Sequence, residues 1–372
     1  MSAFTFSFSG EDIEDCSTPD DHLDPNPQTS QDMVSKSRRC AHNSAFPIPG
    51  QAALKPQVHP LSTLLSKLPS RISYSTLHVP LGDGSSISIP RRELWDVRLQ
   101  LMAEDDEDSL GNLAKVDVKT GVYEGGFKLW ESSGDVVNVL SERGNSLLMG
   151  KCGIIELGCG TALPSLFGFQ LLLHTSPKAL QKTNLALADY NPTVLQLVTL
   201  PNLILSWAYV QSESWEEEGE LEIDENTVER FLKSLESHHT ILSFFSGGWG
   251  PEFIRLVAQN IESDLDQCII IGAETIYSPF ALKSFTETLL GLLKIISAKK
   301  KTSLVAAKKV YFGVGGSIED FYTLVEKNGG LLELVQEESD GVKRVVVEVQ
   351  TPEAGIDAYM YGHSLSTQLA IR

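Results

Sequence analysis

The stretch IIELGCGTALPSL, Ile154–Leu166, decides how the rest of the chain is read. An apolar run ends in an acid, Glu156. Gly158 and Gly160 follow with one residue between them, and a second apolar run opens with Leu163 and Pro164. The pattern reads as a buried strand, a tight turn and a helix. Glycine lets the backbone turn sharply and come close to a ligand, and proline suits a helix's first turn. A dinucleotide fingerprint would require a third glycine where Leu163 stands. A carboxylate at the strand end would also repel a pyrophosphate. Glu156 suits a ligand with a positive amino group instead.

Outward from this turn, strands and helices alternate. Downstream, NLALADY is a strand, and PTVLQLVTLPNLILSWAY a helix with Pro192 near its start. TILSFFS is a strand, PEFIRLVAQNI a helix, QCIIIGAE a strand and SPFALKSFTETLLGLLKII a long helix. TSLVAAKKVY (strand), SIEDFYTLVEKNG (helix) and a terminal hairpin, LLELVQEESDGVKRVVVEVQ, complete the series. This alternation predicts an α/β fold: a Rossmann-like, mostly parallel sheet with helices on both faces and an antiparallel hairpin at one edge. Ligands of such sheets bind beyond the carboxyl ends of the strands.

Upstream, RISYSTLHVP and SISIP read as a strand pair around a GDG turn, and ELWDVRLQLMAE connects to them. EDDED, Glu104–Asp108, reads as an exposed acidic loop. Ser133 is placed to cap a helix carrying Val136, Val137 and Leu140 on one face. Residues 1–70, rich in Ser, Pro, Asp and Gln, read as a disordered lead with one short docking helix in Pro60–Leu68. The expected organisation is that lead, a domain over residues 71–352 and a tail over 353–372.

The 372-residue chain carries 49 acids against 30 bases, a formal charge of −19. Such a chain does not seek nucleic-acid phosphates or anionic lipid, and suits a basic partner. Cys16, Cys40, Cys152, Cys159 and Cys268 form no C-x-x-C pair, and His238 and His239 have no completing ligands nearby, so no metal site is expected. The N-terminus lacks the pattern of a signal peptide, and no membrane span is expected.

Asp189 ends the second strand of the series, where a carboxylate can accept hydrogen bonds from both hydroxyls of a ribose. An ordinary helix cap before Pro192 is the competing reading. With Glu156, it fits an adenosyl ligand that has an amino-acid end and no phosphates. S-adenosylmethionine is such a ligand.

At these residues the chain resembles the histidine protein methyltransferases, a branch of the seven-strand S-adenosylmethionine-dependent methyltransferases. The resemblance spans roughly residues 120–350. It rests on YEGGFKLWESSGD, IIELGCGTALPSL, ADYNPTVLQLVTLPN, FFSGGWG, ETIYSP and KKVYFGVGGS. It implies a cofactor pocket drawing on Leu129, Trp130, Glu131, Ser132 and Ser133, on Gly158 and Gly160, and on Ala188, Asp189 and Tyr190. Gly247, Gly248, Trp249 and Ala273 complete the set. Family members often carry an acid where Gly248 stands and a serine where Ala273 stands, so those side-chain contacts are missing here. Trp130 and Trp249 could fence an adenine or simply pack in the core. The implied substrate is a basic ribosomal protein of the large subunit, methylated on an imidazole nitrogen. The expected state is a monomer, in cytoplasm and nucleus.

A histidine side chain is mostly neutral at pH 7 and already has a lone pair. Its methylation therefore needs a group that selects the tautomer, and an acceptor for the opposite ring N–H does this. Glu274 in ETIYSP is the candidate acceptor, directly or through a neighbour, and Tyr277 the candidate wall for the imidazole. A helix-terminal acid and a packed tyrosine are equally good readings of the two. Lys308 and Tyr311 are weaker candidates for the substrate mouth, and FGVGG for a loop over the substrate. The nine acids between Glu213 and Glu229 read as a solvated loop that could add to attraction of a basic protein. Two other functions stay open from sequence: a lysine methyltransferase of the same fold, and a non-catalytic module that holds a ribosomal protein.

Overall fold

The computed structural model describes residues 54–103, 126–339 and 341–352. The strands are β1 (Gln57–His59), β2 (Arg71–Pro80), β3 (Ser86–Arg92), β4 (Cys152–Leu157), β5 (Thr183–Asp189), β6 (Glu218–Glu222), β7 (Thr240–Ser246), β8 (Leu265–Ala273), β9 (Ala298–Lys308), β10 (Leu331–Glu338) and β11 (Arg344–Gln350). The helices are α1 (Leu61–Leu65), α2 (Leu94–Ala103), α3 (Glu131–Arg143), α4 (Leu163–His174), α5 (Pro192–Gln211), α6 (Glu225–Ser237), α7 (Pro251–Asn260), α8 (Pro279–Ile295) and α9 (Ile318–Lys327).

The main sheet has eight strands in the order β1-β7-β5-β4-β8-β9-β11-β10. The five central strands β7, β5, β4, β8 and β9 are parallel, and the C-terminal hairpin joins antiparallel through β11. The α/β fold, mostly parallel with an antiparallel hairpin, is as the sequence implies. Strand β4 shows why its residues read as a continuous apolar run: both faces are covered. Ile154 faces the layer of α3, α4 and α5, whereas Ile155 and Leu157 face α7, α8 and α9. Helix α4, LPSLFGFQLLLH, is buried at ten of its twelve positions, which is why apolar residues run all round it.

Several local readings change. The lead contributes more than a docking helix. Besides α1, β1 adds an eighth strand antiparallel to β7, with the His59 ring 2.7 Å from the Ser246 hydroxyl. A three-residue edge strand pairs through its backbone and needs no apolar period, so nothing in QVH announced it. Ser133 is not a cap: α3 begins at Glu131, with Trp130 in the capping position, and Ser133 lies inside the first turn. Val136, Val137 and Leu140 are buried as expected.

The acidic stretch after α5 is not simply a solvated loop. Its middle is β6, which completes a second sheet of order β3-β2-β6. Leu221 lies opposite Ile72, and Gly219 opposite Tyr74, whose ring stacks on Trp215 at 4.4 Å. Glu220 and Glu222 take ion pairs from Arg71 on the neighbouring strand. A period of two was present (Gly219, Leu221 and Ile223 against Glu218, Glu220 and Glu222), but charge density masked it. The EDDED loop and the 353–372 tail lie outside the described residues, as do residues 1–53.

Helix α5 is long and apolar enough to cross a membrane, yet 72% of its apolar window is buried inside the fold. It contains a π-helical turn at Leu195–Thr199, followed by Pro201. Proline has no N–H to give the carbonyl four residues back. That carbonyl, on Leu197, accepts instead from Arg92 Nη1 at 2.9 Å. Arg92 is itself buried and paired with Asp96 at 2.6 Å. The second sheet is thereby tied to the helix that follows Asp189.

Candidate active site

A cleft of about 670 Å³, counting its open mouth, lies at the carboxyl ends of β4, β5, β7 and β8. It sits where strand order reverses, with β5 on one side of β4 and β8 on the other. Gly158 and Gly160 form its floor. Both have positive φ, 68° and 50°, a region that disfavours side chains. A Cβ on Gly160 would stand 2.9 Å from the Gly126 carbonyl oxygen. A Cβ on Gly158 would stand 3.0 Å from a Thr275 methyl carbon. The glycines are therefore demanded twice, by conformation and by space.

Asp189 closes one side. It is buried, and its two oxygens accept from the backbone N–H of Gly160 at 3.1 Å and of Asn191 at 3.0 Å. The capping residue of α5 is Asn191, whose side chain accepts from Thr193 N–H. The helix-cap reading of Asp189 is thus set aside. Burial pushes its carboxyl up to about 6.

Glu156 is not in the cleft wall. It lies behind the glycine turn, wholly buried, accepting from Ser165 N–H at the start of α4 at 3.0 Å. Burial raises it to about 8. The expectation that it faces a ligand's amino group is not met by direct contact.

The opposite side is built by β8 and the turn after it. Glu274 has φ 57°, the left-handed region that a residue with a side chain rarely occupies. This strain turns its carboxylate back into the structure. One oxygen accepts from Ser132 Oγ at 2.6 Å, the other from Tyr311 Oη at 2.5 Å. Glu274 is buried, and burial raises its pKa against the two hydroxyl donors, which lower it. Tyr311 is raised well above its ordinary value by burial and by the Glu274 charge. Three distant segments therefore meet at one carboxylate: the LWESS entry, ETIYSP and KKVYFGVGG.

Of the residues expected in the site, Trp130, Ser133, Gly158, Gly160, Asp189, Tyr190, Gly247, Trp249, Ala273, Glu274 and Tyr277 line the cleft. Tyr190, Trp249 and Tyr277 pack around Ala281 at the start of α8. The Trp130 ring lies 5.5 Å from Lys308 Nζ, a cation–π distance. Five expected residues do not line it. Ser132 acts behind the wall through Glu274. Ala188 is buried, and its carbonyl accepts from Cys159 N–H. Leu129 packs into the core. Glu131 is half exposed and stands 3.6 Å from Lys308 Nζ.

Gly248 donates its N–H to the Leu54 carbonyl. Beside it, a Cβ on Gly247 would stand 2.6 Å from the Lys55 carbonyl oxygen and from Pro56 Cα. The close backbone approach these glycines permit is thus to the chain's own lead-in. Sequence reading missed Gly126, Lys128, Cys159, Thr161 and Thr275 in the wall. The resemblance quoted Gly126 in its first stretch. Thr275, adjoining Glu274, is the most informative of the five: its hydroxyl is buried with no protein partner.

These features fit an adenosyl ligand. A buried acid, Asp189, and the glycine turn line the cleft together with the aromatic residues Trp130, Tyr190, Trp249 and Tyr277. The lining includes one lysine and no arginine, a poor match to a phosphate chain.

Sequence comparison agrees. Histidine protein methyltransferase 1 of Saccharomyces cerevisiae is 32% identical over 390 residues, spanning 95% of this chain and 99% of that protein. The protein of the same name from Schizosaccharomyces pombe is 32% identical over 314 residues, covering 80% of this chain and 86% of it. The chain belongs to the histidine protein methyltransferase 1 family. That membership makes it an S-adenosylmethionine-dependent protein-histidine methyltransferase.

A bovine homologue in this family is 32% identical over 238 residues, 63% of this chain and 57% of its own. No protein-family model matches the sequence. Among solved structures, the N-methyltransferase NodS from Bradyrhizobium japonicum WM9 is 13% identical, covers 60% of this chain and 97% of its own, and has a TM-score of 0.33. The magnesium protoporphyrin IX methyltransferase of Synechocystis PCC 6803, determined with bound SAM, is 11% identical over 69% of this chain and 98% of its own, TM-score 0.32. Overlaps this loose add nothing to the strand order described above.

Proposed function

We propose that the chain methylates a histidine of a basic protein of the large ribosomal subunit, with Glu274 selecting the tautomer of the incoming imidazole. The observation that carries the reading is the Ser132–Glu274–Tyr311 cluster at the cleft wall. When bound, S-adenosylmethionine supplies an electrophilic methyl group on a sulfonium. Asp189 and the Gly158–Gly160 turn would hold its ribose side. Tyr190, Trp249 and Trp130 supply aromatic faces that exclude water.

Glu274 then does the work specific to histidine. Each of its oxygens accepts one hydroxyl hydrogen bond and keeps a second acceptor site. A substrate imidazole donating its N–H there turns its other nitrogen's lone pair outward as the nucleophile. Attack makes the ring cationic, and the N–H shared with Glu274 becomes more acidic. Because burial raises the Glu274 pKa, this carboxylate is a better proton acceptor than an exposed one. It can take that proton and return the ring to neutral. Ser132 and Tyr311 fix the carboxylate so that little reorganisation is needed.

The net charge of −19 and the outward acids of β6 support a basic partner, since opposite charge speeds encounter. Large-subunit proteins are encountered in both cytoplasm and nucleus, and either compartment would serve. The test is methyl transfer from isotope-labelled S-adenosylmethionine to a large-subunit protein fraction, with the labelled residue identified by peptide mass spectrometry. Label on histidine supports the reading. Label confined to lysine would move the activity to the neighbouring branch, and cofactor binding without transfer would favour the holding-module reading.

A further inference from the structure

The turn between β9 and α9, VYFGVGGS, is built for something outside the cleft. Its root is firmly held. Tyr311 is buried and bonded to Glu274, and its N–H donates to the Gly316 carbonyl at 3.0 Å. Gly315 N–H donates back to the Tyr311 carbonyl at 3.1 Å. Gly316 N–H donates to the Tyr277 carbonyl at 3.0 Å, and Val310 bridges Ser317. Gly316 lies so close to Ile276 that a Cβ there would stand 2.1 Å from the Ile276 carbonyl oxygen. A Cβ on Gly315 would touch Pro279, the first residue of α8.

A turn tied down at this many points can bury its apolar side chains, and this one does not. Phe312 is 90% exposed, the most exposed large apolar side chain among the described residues. Val310 and Val314, on either side of it, are also exposed, as is Phe280, the residue after Pro279. Scattered single apolar residues on a surface need no explanation, but these four stand on two backbone segments that adjoin where Gly315 meets Pro279. Phe312 follows Tyr311 directly, so these residues are joined to Glu274 through one peptide unit and the Tyr311 hydroxyl.

We infer that Phe312, Val310, Val314 and Phe280 form the platform that seats the apolar residues flanking the target histidine in the protein substrate. This inference rests on the proposed histidine-methylating function and extends it to substrate choice. The occupant is an extended segment of substrate with an apolar or aromatic side chain within a few residues of the histidine. Two features favour it over a second copy of this chain. The platform is continuous with the cleft wall through Tyr311 and Tyr277. It is also small, four side chains, which suits a peptide segment better than a stable dimer face.

The experiment compares wild type, Phe312→Ala and Phe312→Leu on the full chain. The readout is steady-state transfer of labelled methyl from S-adenosylmethionine to histidine in a large-subunit ribosomal protein fraction. Melting temperature and S-adenosylhomocysteine affinity are measured alongside. Removing a large aromatic that is buried on complex formation should raise the apparent KM for the protein fraction about ten- to hundredfold. Phe312→Leu should recover much of that loss, and cofactor affinity and melting temperature should stay put. An active wild type with unchanged KM in Phe312→Ala overturns the platform alone. A lowered melting temperature with unchanged KM also overturns it, showing that another part of this chain covers Phe312. A concentration-dependent dimer lost in Phe312→Ala, again at unchanged KM, assigns the face to a second copy instead. A wild type that places no label on histidine overturns the function on which the platform rests.

Discussion

Replacing Asp189 by asparagine tests the centre of the cofactor site with the least disturbance of shape. The carboxylate is held by two backbone N–H groups, from Gly160 and Asn191, and burial raises it to about 6. Two pKa units above the ordinary value correspond to about 3 kcal/mol held against the ionised form in the ligand-free protein. Hydroxyl donors from a ribose would offset part of that, each charge-assisted bond contributing about 1.5–3 kcal/mol. Asparagine keeps one oxygen but points an NH2 toward a backbone N–H, and it removes the charge. The expected result is roughly 10- to 100-fold weaker binding of S-adenosylhomocysteine.

The wild type should also show a pH signature. Above about 6 the carboxylate is ionised and affinity is level. Below 6 it protonates, and affinity should fall toward tenfold per pH unit, a slope absent in Asp189→Asn. The stability term has the opposite sense. A folded pKa above the unfolded value means that the folded state gains protons, so Asp189's contribution is fully present below about pH 4 and is lost as pH rises through about 6. Isothermal titration calorimetry from pH 5 to 8, with thermal melts of the ligand-free proteins, reads both. Binding within twofold of wild type, or a wild-type affinity level across that range, would refute the assigned role.

Further outcomes follow from other residues. Glu274→Gln should lower kcat about 100-fold or more while S-adenosylhomocysteine affinity stays within a few-fold, because Glu274 meets the imidazole and not the ribose. Tyr311→Phe should give a smaller kcat loss and shift its pH profile, measured by single-turnover methyl transfer. Gly160→Ala forces a side chain onto φ 50° and into the Gly126 carbonyl; it should cost about 1–2 kcal/mol in urea unfolding and abolish measurable cofactor binding. Glu156 is raised to about 8 by burial, so its contribution to stability is lost as pH rises from about 4.5 through 8. Glu156→Gln needs no proton and should flatten the fall in unfolding free energy between pH 5 and pH 8 by an amount on the order of 3 kcal/mol, read from denaturation curves at the two pH values.

The parallel core was readable because its causes are local. Strand β4 is covered on both faces, Gly158 and Gly160 stand where φ is positive, and Pro164, Pro192, Pro251 and Pro279 stand in helix first turns. Each is imposed by backbone sterics or by burial at that residue. Asp189 was readable for the same reason, since a strand end beside a glycine turn is a fixed place in this fold. What the tertiary structure alone decided involves partners far away in sequence. Glu156, two residues before the cleft-lining Gly158, instead satisfies Ser165 N–H behind the turn. Gly247, in the cleft wall, has its Cβ position filled by residues 55–56 of the chain's own lead-in. β6 earned its place by pairing with a strand some 147 residues earlier, and a run of glutamates disguised it. The Glu274 carboxylate draws its donors from 142 residues upstream and 37 downstream. A hydroxyl's choice of acceptor depends on where the folded backbone delivers it, and no spacing along the chain encodes that distance.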